Sequence, residues 1–133
     1  MKPRVLFLCP HGAAKSVIAA AYCQRLAGQY GLDLHISFAG TEPDEALSPA
    51  VIIRLEAEGL DVPRQGPRPV TQQDLEQANW IISLGCDIEE LAPSGKKVEH
   101  WTDVPSPSQD IVGACQSIQN HIAKFMENLS RVQ

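Results

Sequence analysis

The chain has 133 residues, 44% of them hydrophobic, with nine glycines and ten prolines, which suits one compact domain over residues 1–133 and excludes two independent ones. Eleven Lys and Arg against sixteen Asp and Glu give a formal net charge of −5, so the surface as a whole repels nucleic acid and anionic membranes, and any anion site must be local. The first apolar run, Val5 to Leu8, is too short for a signal-peptide core, and no segment reaches the roughly 20 apolar residues that cross a bilayer; the expectation is a cytoplasmic protein with no nucleic-acid or membrane partner.

Short apolar runs alternate with amphipathic segments along the chain. Arg4 to Cys9, rich in Val, Leu and Phe and bounded by Pro10 and Gly12, reads as a buried strand. Lys15 to Gln29 reads as a helix, with Ile18, Tyr22 and Leu26 at helical spacing and Gly31 as its stop. Leu34 to Phe38 is a second strand. A helix from Pro49 to Gly59 starts with Ser48 placed to cap it and Pro49 at its first position, and sets Val51, Ile52, Leu55 and Leu60 on one side. Asp61 to Pro69, with three prolines, is an irregular loop. Thr71 to Asp74 opens a short helix by capping logic. Trp80 to Leu84 is a third strand, Lys97 to Trp101 a weaker fourth, and Ser108 to Leu129 a long final helix through Ile111, Cys115, Ile118, Ile122 and Phe125. Strands joined by helical crossovers pair in parallel, and right-handed crossovers place helices on both faces. The expected architecture is therefore α/β, a three-layer sandwich on a four-stranded parallel sheet. In such sheets ligands bind beyond the carboxyl ends of the strands where the order reverses, which directs attention to Cys9 and Cys86.

The four cysteines, Cys9, Cys23, Cys86 and Cys115, form no CxxC pair, which disfavours a zinc site and a disulfide framework. His35, His100 and His121 have no metal-ligand spacing, so no metal and no cofactor are expected. Cys23 and Cys115 fall on apolar helix faces and read as core, as do Trp80 and Trp101, the latter also able to shape a pocket rim.

The chemistry concentrates in Cys9-Pro10-His11-Gly12-Ala13-Ala14-Lys15-Ser16, a strand end, a turn of small residues and a helix start. Successive N–H groups of such a turn converge with the free N–H groups of the helix into an anion cradle, and the helix dipole adds positive potential. A thiol at its rim is favoured as thiolate. Cys9 is then a candidate nucleophile, with Lys15 and Ser16 as candidates to assist it and His11, Gly12, Ala13, Ala14, Lys15 and Ser16 as candidates to hold the oxyanion. The alternative is a buried cysteine ending a strand and an ordinary first-turn lysine.

Cys9 to Ser16 resembles the C-x5-R-S phosphate loop of low molecular weight protein tyrosine phosphatases, and His11 brings it nearer the related thioredoxin-coupled arsenate reductases. Ser37-Phe38-Ala39-Gly40-Thr41-Glu42-Pro43 is similar to the S-A-G-T-E-P stretch after the family's second strand. Asp61 through Pro69, then Thr71, resembles the loop leading to the next helix. Gly85-Cys86-Asp87, followed by Pro93, Gly95-Lys96 and Trp101, is similar to the arsenate-reductase segment that carries a second redox cysteine. The resemblance implies a phosphate, arsenate or phosphorylated substrate, Cys86 as a redox candidate, and thioredoxin or a small thiol as partner.

Four departures accompany it. Lys15 stands where the family has arginine, keeping the charge but losing the planar fork that grips two oxygens. Gly12 stands where the family has asparagine; both tolerate a left-handed backbone, but the side-chain hydrogen bonds are gone. The family's Asp-Pro general acid is absent from His100-Trp101-Thr102-Asp103-Val104-Pro105, where Asp103 is the nearest carboxylate and Asp110 lies beyond. A third relay cysteine is also missing, its neighbourhood being Glu89, Glu90 and Leu91. Two functions follow: an enzyme using Cys9 on phosphate or arsenate, with Asp103 as candidate acid, or a catalytically degenerate member that binds the oxyanion as a sensor or partner-binding module. Arg64 and Arg68 either add positive potential at the mouth or are ordinary surface charges.

Overall fold

The computed structural model describes residues 2–63, 66–86, 88, 96 and 98–132. Arg64, Asp87, the Glu89 to Leu91 neighbourhood, Pro93, Gly95 and the expected strand start at Lys97 lie outside the described residues. The elements run β1 (Arg4–Cys9), α1 (Lys15–Tyr30), β2 (His35–Gly40), α2 (Pro49–Ala57), α3 (Gln72–Gln77), β3 (Trp80–Ser83), β4 (Val98–His100) and α4 (Ile111–Val132).

All strand pairs are parallel, in the order β2-β1-β3-β4. β1 has alternating side chains. Val5, Phe7 and Cys9 pack into a layer with buried residues of α1, α2 and α4, while Leu6 and Leu8 pack with Leu75 of α3, Ile81, Cys86 and Ile88 on the other face. This is the expected three-layer sandwich. The first crossover leaves β1 toward β2 and the chain later returns to β3 on the opposite side, so the order reverses at the ends of β1 and β3, beside Cys9.

Local details differ from the sequence reading where tertiary partners intervene. β2 continues to Gly40 because Gly40 aligns with Cys9 on one side and bridges Pro69 on the other. α4 begins at Ile111 rather than Ser108: Asp110 accepts from the Gly113 N–H at 2.9 Å and closes the first turn there. Ser48 makes no side-chain cap to α2. α2 also ends two residues early, at Ala57, and Ile52 is only half-buried. Thr71 and Asp74 do form a full capping box on α3.

Candidate active site

The loop between β1 and α1 is held open from outside. Three N–H groups of the segment after β2 donate to three of its carbonyls: Glu42 to Pro10 at 2.7 Å, Asp44 to His11 at 2.9 Å, and Ser48 to Ala13 at 3.0 Å. Turning those carbonyls outward frees the amides for the inner side. The two segments touch backbone to backbone at a pair of glycines. A Cβ on Gly40 would lie 2.7 Å from the Gly12 nitrogen and 2.8 Å from the Pro10 oxygen; one on Gly12, whose φ is +59°, would lie 2.9 Å from the Gly40 nitrogen. Gly12 therefore serves both a left-handed backbone and a contact too close for any side chain.

The first residue before α1 is Ala14, which has no side chain to cap a helix, and the first turn has no acidic residue. Among the described residues no protein acceptor is recorded for the N–H groups of His11, Ala13, Ala14 or Lys15. Unpaired donors at a helix start are an anion site in waiting. At its base sits Cys9, 4% exposed, with its Sγ 3.0 Å from the Ser16 Oγ and 3.5 Å from the Ser16 nitrogen that donates to it. Ser16 is fully buried, so its hydroxyl has the sulfur as its evident partner.

Lys15 is half-buried and forms no ion pair among the described residues, leaving its ammonium free for a ligand. His11 is at the outer rim, its Nδ1 3.1 Å from Asp44 Oδ1, with both side chains largely exposed.

The turn after β3 crosses the end of β1 behind this loop. Gly85, at φ +96°, lies against Pro10, and the fully buried Ser83 closes the turn by donating to the Cys86 carbonyl at 2.7 Å and accepting from its N–H at 3.0 Å. Cys86 packs in the apolar cluster on the α3 face. Burial, with the charge of Cys9 adding to it, pushes its thiol up to about 11, while Thr41 and Lys15 pull the other way. All four cysteines are free thiols. Cys23 is pushed up to about 12 by burial alone, and Cys115 is raised mainly by burial, as befits core positions.

Asp103 is engaged elsewhere. Its Oδ1 is 2.7 Å from His121 Nε2 on α4, and that hydrogen bond holds its carboxyl below the usual range. His121 in turn stacks on Trp101, ring centroids 4.6 Å apart, and Trp101 packs on Phe7 beneath. No contact between Asp103 and the loop is recorded among the described residues. Arg68 is likewise committed, as a two-pronged pair with Asp74 at 2.7 and 3.1 Å. Cys9, His11, Gly12, Ala13, Ala14, Lys15 and Ser16, expected from the sequence to form one site, lie in the single loop from the end of β1 to the start of α1, while Ser83, which closes the turn carrying Cys86, was not among the expected residues. Ser83 had no signal in the sequence. Two open grooves, of about 550 and 690 Å³, lie elsewhere, under the edge of β2 and along α4.

The low molecular weight phosphotyrosine protein phosphatase family model matches residues 4–131. A Halobacterium salinarum protein provisionally named an arsenate reductase is 27% identical over 97 residues, 71% of this chain and 68% of that protein. The solved thioredoxin-dependent arsenate reductase of Corynebacterium glutamicum superposes with a TM-score of 0.81 at 25% identity; the match covers 99% of this chain and spans 64% of that one. A low molecular weight phosphotyrosine phosphatase from Vibrio cholerae O395 superposes at 0.85 over 96% of both chains, at 18% identity, a likeness of fold alone.

Proposed function

The chain belongs to the low molecular weight phosphotyrosine protein phosphatase family, and on that premise we propose that Cys9 is a nucleophile toward a tetrahedral oxyanion, phosphate or arsenate, held by residues 9–16. The observation that carries this is the seat of Cys9: a sulfur 3.0 Å from a buried hydroxyl, under an uncapped helix start with unpaired amides. Ser16 stabilises the thiolate, the amides of His11, Ala13, Ala14 and Lys15 bind the oxyanion, and the Lys15 ammonium balances its charge.

The aromatic residues bear on substrate size. The chain has three Phe, two Tyr and two Trp. Phe7, Tyr22, Phe38, Trp101 and Phe125 are buried, Trp80 stacks edge-on to Phe125 at the start of β3, and Tyr30 ends α1 at the opposite edge of the sheet. No Phe, Tyr or Trp ring is left to sandwich a phosphotyrosine, which favours a small inorganic oxyanion. Arsenate reduction then follows in two balanced steps. The Cys9 thiolate forms an S–As bond and one arsenate oxygen leaves as water. The Cys86 thiolate next attacks the Cys9 Sγ; an S–S bond forms and the S–As bond breaks. Its electron pair stays on arsenic, giving arsenite, and the Cys86 proton passes to solvent. An external thiol, thioredoxin-like or small, returns the disulfide to two thiols.

Lys15 and the commitment of Asp103 to His121 favour a second reading, in which the oxyanion is bound without turnover. An ammonium in place of a guanidinium fork costs on the order of 10²- to 10³-fold if the fork grips the transition state. Turnover of arsenate and of an aryl phosphate by the wild-type chain and by Cys9→Ser separates the two. The enzyme reading expects activity that vanishes in Cys9→Ser and rises in Lys15→Arg. Identical traces for wild type and Cys9→Ser, with phosphate still raising the melting temperature by mass action, leave oxyanion binding as the function.

A further inference from the structure

His11 is tied to the segment after β2 on both its flanking peptides and at its ring. The peptide before it is fixed by the Glu42 N–H, which donates to the Pro10 carbonyl at 2.7 Å. That peptide is trans, and in a trans unit the N–H lies opposite the carbonyl, so the His11 N–H is turned to the inner side. The peptide after it is fixed by the Asp44 N–H, which donates to the His11 carbonyl at 2.9 Å. The ring meets the same residue, with Nδ1 3.1 Å from Asp44 Oδ1. A carboxylate only accepts, so Nδ1 carries the proton and donates it. Asp44 thus grips one loop residue by backbone and by side chain, and neither side chain has another recorded partner among the described residues.

We infer that Asp44 is a positioning residue of the oxyanion loop, acting through the His11 ring. The inference rests on the reading of residues 9–16 as an oxyanion cradle. An exposed ion pair contributes little when two mobile side chains must be ordered to make it. Here the main-chain bond already sets the two residues face to face, and Pro43 before Asp44 narrows the backbone further, so little remains to be ordered. The contact keeps the imidazole beside the 42–48 segment and off the unpaired amides of His11, Ala13 and Ala14. Charge alone argues for the opposite sign: a carboxylate at the rim repels an oxyanion, so Asp44 without a positioning role would weaken binding by its presence.

The test uses sulfate, an unreactive tetrahedral dianion. Its affinity for the reduced chain is measured by calorimetry in wild type, Asp44→Ala, Asp44→Asn, His11→Ala and the double variant carrying both alanines. Asp44→Ala removes the charge and the acceptor but keeps the backbone N–H on the His11 carbonyl. It is expected to weaken sulfate binding about threefold, although removal of a negative charge acts in the other direction. Asp44→Asn keeps an oxygen that accepts from Nδ1 and is expected to restore most of the affinity. In the His11→Ala background, Asp44→Ala is expected to weaken sulfate binding no further, because the ring it acts through is gone. Melting temperatures without sulfate are expected to stay close to wild type, the two side chains being 62% and 53% exposed. Sulfate binding by Asp44→Ala that equals or exceeds wild type overturns the inference and leaves the cradle reading intact, and so does an equal loss in the His11→Ala background. A wild type that binds no sulfate at millimolar concentration overturns the cradle reading and the inference with it.

Discussion

The turn after β1 and the turn after β3 each end a strand in the same sheet and each deliver a cysteine, yet they treat sulfur in different ways. The first turns its backbone outward: carbonyls of Pro10, His11 and Ala13 accept from the 42–48 segment and the amides of His11, Ala13, Ala14 and Lys15 have no recorded acceptor among the described residues. The second spends its backbone on itself, with Ser83 tied to both polar groups of Cys86 and the thiol set among apolar side chains. A ring of amides favours an oxyanion, whereas burial holds the Cys86 thiol protonated up to about 11. On the proposed reading, the difference makes Cys9 the sulfur that meets the oxyanion and Cys86 the one that follows.

Replacing Cys86 should break that comparison most sharply. Cys86→Ser is expected to abolish arsenite formation while an aryl phosphate, whose hydrolysis needs only the first sulfur, is turned over within about twofold of wild type. Equal loss of both activities would mean that Cys86 supports the loop rather than the redox step. Gly40→Ala attacks the other region. Its methyl group would meet the Gly12 nitrogen and Pro10 oxygen inside 3 Å, so the loop must shift, with an expected loss of phosphate binding in calorimetry and of about 1–3 kcal/mol of stability. Wild-type affinity in that variant would show that the two glycines do not set the loop.

The legibility of the two regions in the sequence follows the same division. The proposed cradle is local, eight consecutive residues from the end of β1 to the start of α1, so its candidate residues could be named from the sequence alone. The Cys86 turn, closed by Ser83, lies beyond the connection from β2 to β3, and only strand order brings it beside the end of β1. Strand existence was legible because Val5 to Leu8 and Trp80 to Leu84 are apolar runs. The end of β2 was not, since Ala39-Gly40 looks like a strand breaker until Gly40 is seen bridging Pro69. Asp103 illustrates the limit for chemistry: its place one residue from an Asp-Pro says nothing about His121, eighteen positions later, which captures it at 2.7 Å.

Two smaller effects sharpen the account. Ser16→Ala removes the hydroxyl beside Cys9, and loss of that hydrogen bond predicts about a tenfold fall in Cys9 alkylation rate at neutral pH. Cys86 reactivity should be unchanged, and a parallel fall there would contradict separate seats. In the resting protein Cys86 alkylation should rise only as pH approaches the region of about 11. Asp103, outside both regions, gives the smallest effect. Its carboxyl is held below its unfolded value, by the His121 hydrogen bond first. Its contribution is therefore present above the unfolded carboxylate pKa and lost as pH falls through the lower folded value. Asp103→Asn is expected to flatten that acid limb of a thermal-melt series and to leave turnover at neutral pH unchanged. A large drop in turnover would return Asp103 to the reaction as its acid.

The central claim is that the two sulfurs act in sequence on one bound oxyanion, and a single turnover without external thiol tests it most directly. Reduced protein is mixed with excess arsenate, quenched with acid, and assayed for arsenite and for mapped disulfides. The account predicts up to one arsenite per chain, formed together with a Cys9–Cys86 cross-link, and neither in Cys9→Ser. No arsenite, with both thiols recovered free while arsenate still raises the melting temperature, would contradict it and leave a protein that binds the oxyanion and goes no further.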